Sequence, residues 1–151
     1  MIWPLVIELA GAPRGKGAAR AAAVGGRVHA YTDARTRGYE AQLRYAAQQA
    51  MAGEPPTAEA VEVEITAALA IPASWSKRKT AAALAGEIRP TVKPDWDNFA
   101  KALGDALNGV VWVDDKQIVR GIVAKVYAAA PSLRVMVRLF MPLKSSAEAL
   151  R

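Results

Sequence analysis

Cysteine is absent from this chain of 151 residues, and histidine occurs once, as His29. Without cysteine there are no disulfides and no thiolate metal ligands, which suits a reducing cytoplasm. A single histidine excludes a histidine-rich metal centre and leaves no material for a Ser-His-Asp triad; His29 reads as a hairpin residue. Long hydrophobic runs are missing too. Met1-Ile2-Trp3-Pro4 leads into an ordinary strand rather than a signal peptide or a spanning helix, so no membrane association is expected. No internal repeat and no linker interrupts the chain, and the alanine-rich pieces at 18–23 and 81–84 look like codon-composition bias as much as function.

What is present is enough for one packed unit. With 52% hydrophobic residues, the chain can bury a core of its own. A single domain over 1–143 with a short tail over 144–151 is the expected organisation. The 20 basic and 14 acidic residues leave a net charge of +6, and the excess is uneven. Arg14, Lys16, Arg20, Arg27, Arg35, Arg37 and Arg44 face only Asp33 and Glu40 in their stretch, and Lys77-Arg78-Lys79 forms a second cluster. Such segments can simply be solvated. They can also draw in a phosphodiester backbone and make its binding salt-dependent.

The clearest strand is 61–71, where Val61, Val63, Ile65, Ala67, Leu69 and Ile71 alternate with Glu62, Glu64, Thr66, Ala68 and Ala70. That period of two marks a sheet with one buried face. Other expected elements are strands at 3–9, 28–31, 110–113, 117–126 and 133–140, with helices at 34–51, 76–85 and 98–107. A Gly/Arg-rich loop follows the first strand. The order predicts an α+β domain whose mixed sheet is covered by helices on one side.

The stretch from Lys93 to Val119 carries the chemistry. Asp95, Asp97, Asp114 and Asp115 flank one short helix together with Lys101. Carboxylates gathered this closely repel one another, and a divalent cation relieves that repulsion. Oxygen-only ligands favour Mg²⁺ or Mn²⁺ over zinc. Pro94 predicts an extended entry, which would put Asp95 and Asp97 on one side, with Asp97 as the helix N-cap. Lys101, one turn later, can lean back toward the carboxylates. Asp114-Asp115-Lys116 reads as a turn between two strands. Taken singly, these residues are an ordinary cap, a surface lysine and a solvated turn; their combination makes a cation site.

The string Lys93-Pro94-Asp95-Trp96-Asp97-Asn98-Phe99-Ala100-Lys101, then Asp105-Ala106-Leu107-Asn108-Gly109, then Trp112-Val113-Asp114-Asp115-Lys116-Gln117-Ile118-Val119 resembles the RusA family of Holliday-junction resolvases, often carried by prophages. Weaker matches extend over nearly the whole chain: Gly11-x-Pro13 with Lys16 and Arg20, Tyr31-Thr32 before Arg37-x-Tyr39-Glu40, and Ile71-Pro72-x-x-Trp75-Ser76-Lys77-Arg78-Lys79. The resemblance implies that Asp95, Asp97 and Asp115 are the metal-site carboxylates, with Asp114 as a further candidate ligand, and that Lys101 is the essential lysine. It also implies a Mg²⁺-dependent endonuclease, with Mn²⁺ as a possible substitute, that leaves a 5′-phosphate and a 3′-hydroxyl. Departures from the family pattern are Ala18, where many relatives carry a second arginine, and Trp96 and Phe99 in place of aliphatic residues.

Branched DNA, a four-way junction, is the expected partner. Lys16, Arg20, Arg27, Lys77, Arg78, Lys79 and Lys93 are its candidate contacts. A homodimer is expected, because one acidic constellation per chain must serve two symmetry-related strands; the sheet edge and the apolar side chains near Trp112 are its candidate interface. Two other readings stay open at this point, a metal nuclease preferring flaps or forks and a non-catalytic binder of branched DNA.

Overall fold

The computed structural model describes residues 2–16, 20–31 and 33–142. Ala18, Thr32 and the expected tail from 144 lie outside the described residues. The elements run β1 (Leu5–Ala10), β2 (Arg20–Val24), β3 (Arg27–Tyr31), α1 (Ala34–Met51), β4 (Val61–Ala70), α2 (Lys77–Leu84), α3 (Trp96–Leu107), a single 3-10 turn (Asp115–Gln117), β5 (Ile118–Ala128) and β6 (Ser132–Leu139). This is an α+β fold.

Four strands form one mixed sheet in the order β1-β6-β4-β5, in which β5 runs parallel to β4 and the other pairs are antiparallel. Alternation gives the sheet two unlike faces. Leu5, Ile7, Val61, Val63, Ile65, Ala67, Leu133, Val135 and Val137 are buried on one face, against which the helices pack. The opposite face carries cross-strand ion pairs, Arg120 with Glu62 at 3.7 Å, Arg134 with Glu8 at 3.4 Å and Arg138 with Glu64 at 3.4 Å. Helices on one side and water on the other match the expectation from the β4 pattern.

Helix α1 begins at Asp33, whose carboxylate accepts from Thr36 N at 2.9 Å, a normal N-cap. It buries Tyr39, Leu43, Ala47 and Met51 at helical spacing and packs on α3 and β1. From α1, Arg44 donates to the carbonyls of Ala106 and Asn108 at 3.3 and 3.0 Å. The last turn of α3 contains no basic residue of its own, so a cation from another helix satisfies its terminal carbonyls.

Two expectations need correction. Residues 20–31 are a hairpin, with Gly25 and Gly26 both at positive φ in a two-residue turn, the geometry that glycine pairs favour. The stretch 110–113 is no strand: Val110, Val111 and Trp112 are core residues in a turn after α3, with isolated bridges of Trp112 to Thr57 and Asn108 in place of a sheet pairing. Trp112 has no exposed surface, and its indole donates to Asn108 Oδ1 at 2.8 Å. Trp112 itself is thus closed to a partner, while its neighbour Val113 is 60% exposed.

Candidate active site

Helix α3 starts two residues earlier than expected. Its N-cap is Asp95, and Asp97 lies within the first turn, so these two carboxylates do not share one side of an extended segment. Pro94 still ends the extended entry, but helical geometry begins at Trp96. Aspartate usually caps a helix by accepting from its free N–H groups. The Asp95 side chain makes no such bond, which leaves its carboxylate available to a ligand. Asp97 gains from the positive end of the helix dipole and pairs with Lys101, whose Nζ lies 3.5 Å from Asp97 Oδ2. The lysine leans back along α3 as its position dictates.

The two aspartates open onto a cleft of about 600 Å³ lined by Val92, Lys93, Asp95, Trp96, Asp97 and Lys125. Trp96 is 68% exposed there. Lys125, on β5, donates to the carbonyl of Val92, and Arg89 donates to the carbonyl of Lys125 at 3.4 Å. Together these bonds moor the segment that delivers Asp95 to the sheet. Lys125 went unnoticed in the sequence, since a lone lysine in a strand carries no signal of a partner more than thirty residues away.

The second acidic pair is built differently. Asp114 caps the 3-10 turn, accepting from Lys116 N at 3.0 Å, while its own N–H donates to Gln117 Oε1 at 2.9 Å. Gln117 also donates to the carbonyls of Thr57 and Glu59, both at 2.8 Å, which pins the turn to the strand-entry segment. The bond from the Lys116 amide, followed by one shared with Asp115, holds the Asp114 carboxyl below the usual carboxylate range. Asp115 goes the other way. It is exposed as a residue, yet its carboxyl lies against Gly104 of α3. Loss of water there, then the hydrogen bond and charge of Asp114, and then the charge of Asp105, push it up.

Gly104 and Asp97 are seven residues apart on α3, or about 10 Å along a helix axis. The acidic residues thus form two pairs on one helix face rather than one cluster. Among the described residues no group of three carboxylates is close enough to hold a single ion. The donor chemistry nonetheless fits Mg²⁺, which keeps several waters and takes one or two carboxylates plus substrate phosphates. Asp95 with Asp97, facing a cleft that also holds Lys93 and Lys125, offers such a pair.

The expected DNA contacts divide. Arg27 is exposed at the hairpin tip, and Lys77 and Arg78 are exposed on the first turn of α2, capped by Ser76. Lys93 lines the cleft. Lys79 sits 3.9 Å above the Trp75 ring, which meets Tyr127 edge-on at 5.2 Å, so part of that basic cluster is packing. Lys16 is paired with Glu40 and Asp105. The side chain of Arg20 lies outside the described residues.

The family model "Endodeoxyribonuclease RusA" matches residues 10–138, a span that holds every one of these carboxylates. The chain belongs to the RusA endodeoxyribonuclease family. It is also similar to the "Uncharacterized protein YqaN" of Bacillus subtilis (strain 168), with 33% identity over 132 residues, 85% of this chain and 91% of that protein. No helix among the described residues is long and apolar enough to cross a membrane.

Proposed function

We propose that this RusA-family chain is a Mg²⁺-dependent endonuclease that resolves four-way DNA junctions as a homodimer. The observation that carries the reading is Asp95, a helix N-cap whose carboxylate is withheld from capping, set beside Asp97 and Lys101 at the edge of a cleft lined by two further lysines. A carboxylate kept out of the cap it could make is well explained by a ligand role.

Lys93 and Lys125 bind and orient the phosphodiester in the cleft. Asp95 and Asp97 hold the cation, with Asp115 and Asp114 farther along the same helix face. Mg²⁺, or Mn²⁺ in its place, supplies when bound the Lewis acidity that phosphodiester hydrolysis requires. Lys101 keeps Asp97 in position and places a positive charge where negative charge develops on the phosphate. Cleavage leaves a 5′-phosphate and a 3′-hydroxyl, ends that a ligase can seal.

The homodimer reading is supported by the single acidic constellation in each chain and by the free edge of β5, where Val119 and Ile122 are exposed. A two-fold pairing would present two sites at a fixed separation.

The test is incubation with a synthetic four-way junction, with and without Mg²⁺, read on a denaturing gel beside flap, fork and linear duplex substrates. Paired symmetric cuts in the junction, dependent on Mg²⁺, are the expected result. Faster cleavage of flaps or forks would reassign the substrate, and binding without cleavage in any metal would remove the enzyme reading.

A further inference from the structure

Lys16 has its charge paired twice inside the protein. Its Nζ lies 2.9 Å from Glu40 of α1 and 2.9 Å from Asp105 of α3, and the side chain is 21% exposed, against 56% for Lys101. The bonds to Glu40, and after it Asp105, hold the ammonium above the ordinary lysine value.

The backbone around Lys16 is seated on the acidic motif itself. Lys16 N donates to the Asn98 carbonyl at 2.9 Å. The preceding Gly15 approaches so closely that a Cβ there would stand 2.7 Å from Asn98 Cβ and 2.8 Å from Pro94 Cβ. Pro94 and Asn98 bracket Asp95 and Asp97. The N-terminal loop is therefore a wall of the α3 start, and its lysine reaches along α3 to Asp105.

Asp105 is the neighbour of Gly104, against which Asp115 rests. Without a partner, Asp105 would add a second uncompensated repulsion to a carboxyl already crowded by Asp114. A phosphate could engage Lys16 only by drawing it from both carboxylates. That exchange would leave Asp105 uncompensated beside the site at the moment DNA arrives.

We propose that Lys16 is a positioning residue, an internal clamp that ties the N-terminal loop and α1 to α3 and cancels Asp105 beside Asp115, rather than a DNA contact. The proposal rests on the nuclease reading for its catalytic consequence, but not for its binding and stability consequences.

The experiment compares the parent, Lys16→Ala, Asp105→Asn and the double variant on a four-way junction. Affinity is measured across a salt series without divalent metal, melting temperature without DNA, and single-turnover cleavage at saturating junction in Mg²⁺. For Lys16→Ala the expected results are an unchanged salt slope, a lower melting temperature and a cleavage rate down about tenfold. Adding Asp105→Asn should recover most of the lost rate but only part of the melting temperature, because it removes the charge beside Asp115 and leaves Glu40 without its partner. A salt slope flatter by about 0.9, the signature of one phosphate no longer neutralised, with the saturated rate intact would overturn the proposal. If Lys16→Ala does not fold, the same three measurements on Lys16→Gln, which keeps the stem and can still hydrogen-bond both carboxylates, decide between the two outcomes. A parent that cleaves nothing sinks the nuclease reading instead, while the salt slope and melting temperature still decide the place of Lys16.

Discussion

Asp115 occupies the space that Gly104 leaves by having no side chain: a Cβ on Gly104 would lie 2.7 Å from Asp115 Oδ2. Gly104 is buried in the third turn of a helix and is not at positive φ, so backbone freedom does not explain it. Close approach does. Because the obstructed atom is the far end of an aspartate, Gly104→Ala should swing the carboxyl aside rather than break the helix. Alanine also favours a helix interior by roughly 0.5–1 kcal/mol over glycine. The expected variant melts no lower than the parent, binds junction normally and cleaves about a hundredfold more slowly, a loss typical of a displaced catalytic group. Single-turnover rates beside a melting curve check this, and an unaltered rate would detach Asp115 from the chemistry.

Asp115 also predicts a pH dependence. Its folded-state value is raised, so the native state holds that proton more tightly than the unfolded chain does. Its contribution to stability is fully present below the ordinary carboxylate value and is lost as pH rises through the raised one. Asp114, whose value is lowered, works in the opposite sense: its contribution is present above the ordinary value and fades as pH falls through the lowered one. Asp115→Asn should therefore raise the melting temperature at neutral pH by a few degrees. The gain should shrink in acid, where the parent carboxyl is protonated. A gain of equal size at both pH values would contradict the assigned direction.

Asp97→Asn keeps shape while removing charge. It should abolish cleavage and spare both fold and junction binding. Lys101→Ala should lower turnover by about a hundredfold or more with affinity nearly constant, and Lys101→Arg should restore only part of it, since a planar fork is not a compact charge. Mixing wild-type chains with the Asp97→Asn variant should give dimers that nick a junction without resolving it. Complete resolution by the mixed species would argue against two coordinated sites.

The basic helix α2 should separate into two functions. Lys77, Arg78 and Lys79 are all exposed, but Lys79 alone lies over the Trp75 ring. Neutralising Lys77 and Arg78 should flatten the salt dependence of junction affinity by up to about 0.9 for each phosphate they neutralise. Lys79→Ala should chiefly lower the melting temperature, by an amount corresponding to about 0.5–1 kcal/mol for an exposed cation-π interaction. If Lys79 alone changes the slope, the division is wrong.

Lys125→Met removes the ammonium that meets the Val92 carbonyl and lines the cleft while keeping most of the stem. The expected outcome is slower cleavage together with faster amide exchange in the segment around Val92, because that segment loses its mooring to β5. Unchanged exchange with slower cleavage would leave Lys125 a phosphate ligand only.

Much of the fold was legible from local patterns. The bounds of α1 followed from apolar spacing after Asp33, and β4 from its strict alternation. Strand β2 escaped notice because Ala21, Ala22 and Ala23 lack the β-branched residues that mark a strand, although Gly25-Gly26 was a usable turn signal. Val110 to Val113 looked like a strand because a short apolar run has no period that separates it from a buried turn. At the site, Asp97 was expected as the cap, and backbone geometry gives that place to Asp95. The partners of Arg44, Lys16 and Lys125 lie too far along the chain for any local pattern to reveal.

The three cross-strand ion pairs on the bare side of the sheet add little to stability, since exposed pairs are worth roughly 0–1 kcal/mol each. Their effect is on direction. By pairing its charges on that side, the protein leaves the exposed cations of α2 and the cleft lysines to act from the other. A polyanion at a distance is then attracted on one side only, which favours encounters in that orientation before contact. Reversing Glu62 and Glu64 to lysine would make the bare side attractive as well, producing encounters in which DNA arrives bound but backwards.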